Sequence, residues 1–232
     1  MSSIQTYRPI ALFLLALMPT VPLVGQDSKV QDYVATLKQS LQQSQEELRS
    51  YEWIETTSVK IKGDEKSNQQ KRCYYGAEGS VQKVPITETS SKKKRGIRGR
   101  VVERKKGEIT QEAQRAIELV RLYIPPDAAR VQKVHDSGGS SLHVVKPEQQ
   151  VRIELKNYRQ EGDLLSIELG LSPPRLISLT VETDLGSPQD RVNLEASFGA
   201  LQDGTSYASR IRLDVASKNL GIEVENSGYR KP

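Results

Sequence analysis

The stretch that decides the fold is VRIELKNYRQEGDLLSIELGLSPPRLISLTVETD, residues 151–184. Three segments of it carry apolar side chains at every second position, with polar side chains between them. Successive side chains of a β-strand point to opposite faces of a sheet, so the alternation indicates strands with one buried face. The segments are separated by the turn formers Glu161-Gly162-Asp163 and Ser172-Pro173-Pro174. The stretch therefore predicts antiparallel strands joined by hairpins.

The same alternation continues to the end of the chain and also occurs near its start. Three further strands are predicted around Val192 to Phe198, Tyr207 to Val215 and Ile222 to Val224, which makes six in succession. An earlier strand is predicted where polar residues alternate with Tyr51, Trp53, Thr57, Val59 and Ile61. Two more are expected over residues 69–75 and 80–86.

Two long segments have the period of a helix instead. Residues 28–49 place apolar side chains on one stripe, and Asp27 or Ser28 can cap the helix start. Residues 99–124 repeat the pattern and end at Pro125-Pro126, while residues 127–134 suggest a short helix. Strands with one apolar face need a cover for that face, and helices supply it. The expected fold class is α+β, a large curved antiparallel sheet covered by two main α-helices.

The first residues have the layout of a secretory signal peptide. A polar start with Arg8 precedes an apolar stretch over residues 10–24, and polar sequence resumes at Gln26. The apolar stretch is shorter than the roughly 20 residues that cross a bilayer as a helix. We expect residues 1–25 to be cleaved near Gly25 and residues 26–232 to form a single domain. The mature protein is then expected in the periplasm or secreted.

Several short segments resemble those of a group of secreted bacterial proteins of unassigned activity. They are Tyr51-x-Trp53, LYIPP over residues 122–126, FGALQDGTSY over 198–207 and Asn226-Ser227-Gly228-Tyr229. More distantly, the order of elements resembles the LolA-type periplasmic lipoprotein carriers. In these carriers an open half-barrel of antiparallel strands holds acyl chains against helices. The resemblance implies a concave apolar surface that receives a lipid, lipoprotein acyl chains or another hydrophobic ligand.

The candidate ligand-binding residues are large apolar side chains on the predicted inner faces of the strands. They are Tyr51, Trp53, Val59, Ile61, Leu194, Phe198, Tyr207 and Ile211. Ordinary core packing is the alternative, since such side chains each gain about 1.5–3 kcal/mol from burial. An unfilled cavity would distinguish the two interpretations.

The motifs of common enzymes are missing from the sequence. It contains no nucleophile elbow, no HExxH helix and no phosphate loop, and its only histidines are His135 and His143. We therefore expect a protein that is not an enzyme and that has no catalytic residues, no cofactor and no metal site. The single cysteine, Cys73, either packs in a strand or pairs with another chain.

The excess of positive charge lies in one segment. The net charge is +5, and residues 92–106 hold nine basic side chains against the single acid Glu103. Such a segment is either a solvated loop or helix start, or a surface that contacts anionic membrane lipids or an acidic partner. With 5% aromatic residues, the sequence gives no support for nucleic-acid binding.

The sequence leaves two functions open. The first is an exported, non-enzymatic protein that binds a lipid or other hydrophobic ligand on the concave face of the sheet. The second is a structural or adaptor protein of the cell envelope that acts through protein–protein contacts.

Overall fold

The computed structural model describes residues 27–86 and 97–232. Within these ranges the helices are α1 (Asp27–Leu48), α2 (Ile97–Arg121) and α3 (Ala128–Asp136). The first three strands are β1 (Glu52–Ile61), β2 (Asp64–Tyr75) and β3 (Val81–Pro85). Seven strands follow α3: β4 (Ser140–Lys146), β5 (Gln150–Lys156), β6 (Leu164–Leu171), β7 (Pro174–Asp184), β8 (Arg191–Ala200), β9 (Ser206–Val215) and β10 (Leu220–Arg230).

These strands form one antiparallel sheet in the order β3-β2-β1-β10-β9-β8-β7-β6-β5-β4. It consists of two meanders, β1 to β3 and β4 to β10, which are joined because the first strand pairs with the last. The sheet is curved and open, with β3 and β4 at its two edges. The α+β class and the large antiparallel sheet predicted from the sequence are confirmed.

The hydrophobic core lies on one face of this sheet. A row of paired apolar residues crosses seven neighbouring strands: Leu155, Leu165, Val181, Leu194, Leu213, Ile222 and Val59. Paired residues point to the same face, so the alternation in each strand adds up to one continuous apolar surface. Helical residues pack against it, among them Ala116 and Val120 of α2 and Val131 and Val134 of α3.

The helices differ from the prediction mainly at their ends. α2 ends at Arg121, before the predicted residue 124. Ile124 precedes Pro125, and the residue before a proline disfavours the α conformation. α3 begins at Ala128 because Asp127 is its N-cap, whose side chain accepts a hydrogen bond from the Arg130 N–H at 2.8 Å.

Two strand predictions were incomplete. β2 begins at Asp64 rather than at residue 69, and β4 was not predicted as a strand. Both segments lack regular alternation of apolar and polar residues. They are held by backbone hydrogen bonds to a neighbouring strand, β1 and β5 respectively. Such bonds form with any side chain, and the sequence pattern therefore carries little sign of them.

Candidate functional site

A small cavity lies between α1 and the hairpin that joins β6 to β7. Its volume is about 100 Å³. The helix contributes Tyr33 and Ser40 to its wall, and the hairpin contributes Leu169, Gly170, Leu171, Pro174 and Arg175. Most of this lining is apolar, and moving a hydrocarbon group from water into such surroundings lowers the free energy. The cavity is therefore suited to an apolar group.

The size of the cavity limits what it can hold. Pockets for drug-sized ligands measure about 300–1,000 Å³, which is well above the 100 Å³ found here. At the roughly 30 Å³ that a water-sized group occupies in a liquid, it has room for about three methylene-sized groups. The cavity can therefore hold the end of one hydrocarbon chain.

An apolar row leads from this cavity to an edge of the sheet. Leu169 is paired with Leu176 on one side and with Val151 on the other, and Val151 is paired with Val144. Leu169, Leu176 and Val151 are buried, whereas Val144 on β4 is 66% exposed. The apolar surface beside the cavity thus continues to the solvent-exposed edge strand.

Among the described residues that line the cavity, Arg175 is the only charged one. It is exposed and lies opposite Gly170 in the register of β6 and β7. Its side chain extends across Gly170, with Cγ 3.2 Å and Nε 3.4 Å from the position that a Cβ of residue 170 would take. The missing side chain at Gly170 therefore leaves the space that Arg175 uses. A glycine inside a strand was the sequence signal for this close approach.

The structure divides the eight residues predicted from the sequence into two groups. Tyr51, Trp53 and Tyr207 belong to an aromatic cluster. The other five are part of the hydrophobic core or pack directly against it: Val59, Ile61, Leu194, Phe198 and Ile211. None of the eight lines the cavity. Their role in ligand binding stays a prediction.

The aromatic cluster also contains Tyr75 and Tyr229, which were not among the predicted ligand-binding residues. The Trp53 and Tyr229 rings are stacked at 5.5 Å between centroids, and Tyr207 lies 4.5 Å from Tyr229. Trp53 is 8% exposed. Its indole N–H donates to Asn226 Oδ1 at 3.1 Å. Burial raises the pKa of the Tyr229 hydroxyl, so that side chain stays neutral.

An ion pair between a buried carboxylate and an exposed lysine lies beside the aromatic cluster. The Glu55 carboxylate, in a residue only 8% exposed, accepts a hydrogen bond from Lys83 Nζ at 2.5 Å. Cys73 is fully buried next to them, and burial raises the pKa of its thiol. A protonated thiol without solvent access fits the packing role, one of the two alternatives for this residue.

The FGALQDGTSY segment forms a joint between four parts of the chain. Asp203 Oδ2 accepts hydrogen bonds from the Tyr51 hydroxyl at 2.5 Å and from Lys231 Nζ at 3.3 Å. The Thr205 hydroxyl lies 2.7 Å from both Asp203 Oδ1 and Glu47 Oε2. The joint thus connects α1, the start of β1, the β8–β9 hairpin and the C-terminus. The bonds from Tyr51 and then from Thr205 hold the pKa of the Asp203 carboxyl well below its usual range.

The LYIPP segment places Tyr123 in a second polar network. Its hydroxyl donates to Asp163 Oδ2 at 2.6 Å and lies 3.0 Å from Thr183 Oγ1. The same carboxylate oxygen accepts from the backbone N–H groups of Arg159 and Gln160 at 2.8 and 3.0 Å. Burial and the bond to Asp163 raise the pKa of the Tyr123 hydroxyl. The network fixes the connection between α2 and α3 against the sheet.

The two histidines have hydrogen-bonding partners of ordinary kinds. His135 Nδ1 lies 2.6 Å from Ser140 Oγ, and His143 Nε2 lies 3.0 Å from Ser141 Oγ. Across the described residues, no three His, Cys, Asp or Glu side chains are arranged to hold a metal ion. In the same residues, no helix has the length and apolar character to cross a membrane.

Two predictions fall outside the part of the chain that the structure describes. The expected signal peptide, residues 1–25, lies before its first residue. In the basic segment 92–106, residues 92–96 lie outside the described ranges and residues 97–106 form helical backbone in α2.

Comparisons with known proteins return one loose structural similarity. The sequence matches no protein family and no curated protein. The chain is similar to the crystal structure of LolA superfamily protein NE2245 from Nitrosomonas europaea, with 10% sequence identity and a TM-score of 0.36. The similarity covers 84% of this chain and 93% of that one.

Proposed function

We propose that this protein is an exported, non-enzymatic protein that binds a lipid acyl chain or another hydrophobic ligand between α1 and the concave face of the sheet. The observation that carries the proposal is the apolar cavity beneath α1, which Leu169 and Leu171 line from the sheet and Tyr33 from the helix. An unfilled space at this interface was the feature that would distinguish ligand binding from plain core packing.

The energetics favour a single chain. Burial of a methylene group contributes about 0.8 kcal/mol, so about three groups in the cavity contribute on the order of 2 kcal/mol before the cost of association. The buried row from Leu169 to Val151 and the exposed Val144 extend the apolar surface outward. A longer chain would lie along this row toward the β4 edge.

The eight residues predicted from the sequence remain part of the proposal. Ser40, in the cavity wall, and Glu47, which contacts the β8–β9 hairpin, both belong to α1. The helix therefore extends from the cavity toward the joint that includes Tyr51. We propose that Tyr51, Trp53 and Tyr207 form the apolar surface near that end, and that the other five form the floor of the sheet.

Native mass spectrometry of the gently purified protein tests ligand binding. We expect an added mass that corresponds to a lipid and that lipid extraction removes. Leu171→Trp fills the cavity and should reduce the occupied fraction several-fold. Leu122→Trp is the matched control, since Leu122 is 51% exposed and does not line the cavity. A protein that carries no lipid, or equal occupancy in both variants, would contradict the proposal.

Export is tested separately by expression of the full chain in a bacterial host. The proposal places the mature protein in the periplasm or the medium, with residues 1–25 removed. N-terminal sequencing of the recovered protein should begin near Gln26. Recovery of the full-length chain from the cytoplasm alone would show that the first residues do not act as a signal.

A second candidate function is an adaptor of the cell envelope that pairs with other proteins through a sheet edge. The observation in its favour is the exposure of Val144 and Val145 on β4, at 66% and 39%. An exposed apolar edge strand is a template for pairing with another chain. Crosslinked pull-down with the wild type and with Val144→Lys tests it, and partners that disappear in the variant would support this function.

A further inference from the structure

We infer that the edge strand β4 pairs with β4 of a second copy of this chain, antiparallel and with His143 on the two-fold axis. The two ten-stranded sheets then join into one continuous sheet. This pairing does not depend on the proposed ligand binding. It concerns the same edge as the second candidate function, and it names a second copy of the chain as the partner there.

The open side of β4 presents backbone hydrogen-bonding groups at every second residue. Gly139 O accepts a hydrogen bond from Lys156 N at 2.9 Å, so residue 139 is bonded directly to its neighbour. In an antiparallel ladder such positions alternate with positions that are not bonded. The N–H and C=O groups of Leu142 and Val144 therefore point away from β5. Within the described residues no strand lies beyond β4 in the sheet.

The side chains of these two residues lie on the core face of the sheet. Leu142 is paired with Ile153 and Val144 with Val151, and both partners on β5 are buried. Leu142 is half-buried and Val144 is 66% exposed. The apolar surface of the core thus reaches the edge at Val144 largely uncovered. A strand that covers it needs two apolar side chains at the same spacing.

β4 itself is such a strand. With His143 on the two-fold axis, Leu142 of each copy lies opposite Val144 of the other. Both positions carry outward-pointing backbone groups, so each pair exchanges two hydrogen bonds. A register shifted by one residue would set core-face side chains opposite those of the outer face. The register centred on His143 satisfies the backbone and the apolar side chains together.

The charges of β4 allow this pairing. Like charges directly opposite each other destabilise a sheet, and residues 140–145, SSLHVV, contain no Lys, Arg, Asp or Glu. His143 faces its own copy at the axis. Its Nε2 lies 3.3 Å from Glu154 Oε2, which offsets within each chain the charge of a protonated imidazole. Two copies of β4 can therefore approach each other.

The opposite edge of the sheet is built differently. β3 ends at Pro85 and contains Lys83. Proline and lysine on an edge strand discourage pairing with another chain. The contrast between the two edges favours β4 as the paired one. Its ladder is short, because the bulge at Val145 interrupts regular pairing after Val144. A small interface of this kind forms a reversible dimer.

Cysteine crosslinking tests the register directly. The two copies of residue 143 form a pair that is not hydrogen-bonded, with Cα atoms about 4.5 Å apart. A disulfide spans that distance. His143→Cys in the mature protein should therefore give a disulfide-linked dimer on non-reducing electrophoresis after mild oxidation. Cys73 is buried and should not contribute.

Lys146→Cys is the matched control for random collisions. Lys146 is exposed on the same strand. In the proposed register its two copies lie about 20 Å apart along the strands, too far for a disulfide. Equal crosslinking of the two cysteine variants, or no crosslinking at residue 143, would overturn the inferred register.

Sedimentation equilibrium tests the dimer without a new cysteine. Between about 5 and 500 µM the mature protein should show a reversible monomer–dimer equilibrium. Val144→Lys should raise the dissociation constant by about a hundredfold or more, because the two-fold axis removes the apolar contact twice. Val84→Lys is the control on the opposite edge. Val84 is 41% exposed on β3, and its substitution should leave the constant unchanged.

The outcomes separate the dimer from the two proposed functions. A monomer at every concentration, or equal effects of Val144→Lys and Val84→Lys, would overturn the pairing of β4 with its copy. A monomer whose edge captures other proteins in the pull-down would assign β4 to the second candidate function. The lipid occupancy measured by native mass spectrometry is a separate result. Circular dichroism of each variant checks that the fold is retained.

Discussion

Asp163 and Asp203 are two carboxylates in opposite surroundings. Asp163 is 3% exposed and Asp203 lies at the surface, yet each accepts several hydrogen bonds, at least one of them from a distant part of the chain. At Asp163 the donors are needed because a buried polar group without partners is costly. At Asp203 they connect the start of β1 and the C-terminus to the β8–β9 hairpin. The contribution of each set of hydrogen bonds to stability can be tested by removing a single polar group.

Tyr123→Phe removes the hydroxyl that donates to Asp163 and keeps the aromatic ring. We expect a loss of about 1–3 kcal/mol in the free energy of unfolding, because a buried acceptor loses one of its donors. Urea denaturation measures the change. Tyr74→Phe is the control, and it should shift the free energy by less than about 0.5 kcal/mol. Similar values for the two variants would show that the bond to Asp163 does not contribute.

Asp203→Asn tests the joint and its dependence on pH. The pKa of Asp203 is lowered in the folded state by the bond from Tyr51 and then those from Thr205. Its contribution to stability is therefore complete above the ordinary value near 4 and is lost as pH falls toward the lower folded value. The wild type should be more stable than the variant at pH 7.

The difference between the two proteins should shrink as pH falls below about 4, because the wild-type carboxylate becomes protonated. Thermal denaturation at pH 7, 5, 4 and 3 measures it. Glu161→Gln, in an exposed turn, controls for the loss of a surface charge. A difference between wild type and Asp203→Asn that stays constant over this range would mean that the carboxylate charge has no part in the joint.

At the scale of single elements, caps and turns set the ends of helices and strands. The periodicity of apolar residues does not fix those ends. Asp127 both caps α3 and donates its own backbone N–H to the Tyr158 hydroxyl at 2.7 Å. Asp127→Ala should lower the free energy of unfolding by about 1 kcal/mol, since one N–H of the first helical turn loses its acceptor. Asp127→Ser keeps an acceptor and should lose much less. Equal losses in the two variants would assign the effect to something other than capping.

The elements themselves were largely predictable. Helix 28–49 corresponds to α1 at Asp27–Leu48, and all six strands predicted after residue 150 are present. Alternation and turn residues are properties of neighbouring positions, so a sequence displays them directly. β4 was missed because its residues Val144 and Val145 break the alternation at a bulge. An irregular edge strand is defined by its partner rather than by its own pattern.

At the scale of the whole molecule, the sheet depends on the pairing of β1 with β10. Val224 of β10 lies between Thr57 of β1 and Ile211 of β9. Val224→Pro should lower the free energy of unfolding by about 2 kcal/mol or more, because proline cannot donate a hydrogen bond inside the sheet. Val145→Pro, at the bulge of the edge strand β4, should cost less than about 1 kcal/mol.

Chemical denaturation followed by circular dichroism compares the two proline variants. If they are equally stable, the β1–β10 pairing does not hold the two meanders together. If Val224→Pro unfolds in two separate steps, the meanders are independently stable, which would contradict a single cooperative sheet.

The candidate site was less predictable than the fold. The sequence placed Tyr33 and Leu169 on apolar faces but gave no sign that they line a cavity. A cavity is the space left after distant elements have packed, so it depends on how α1 lies against the β6–β7 hairpin. Tyr229, which stacks on Trp53, was not among the predicted ligand-binding residues for a related reason. Its contact with Trp53 depends on the pairing of β1 with β10, which joins distant parts of the chain.

The sequence by itself determined which segments are strands and helices and where the hairpins turn, because these follow from the chemistry of neighbouring residues. Only the tertiary structure decided that β1 joins β10, that Tyr123 reaches Asp163 across 40 residues, and that a cavity lies between α1 and the β6–β7 hairpin. These features arise from contacts between residues far apart in the chain. Their geometry is set by the packing of the sheet and helices as a whole.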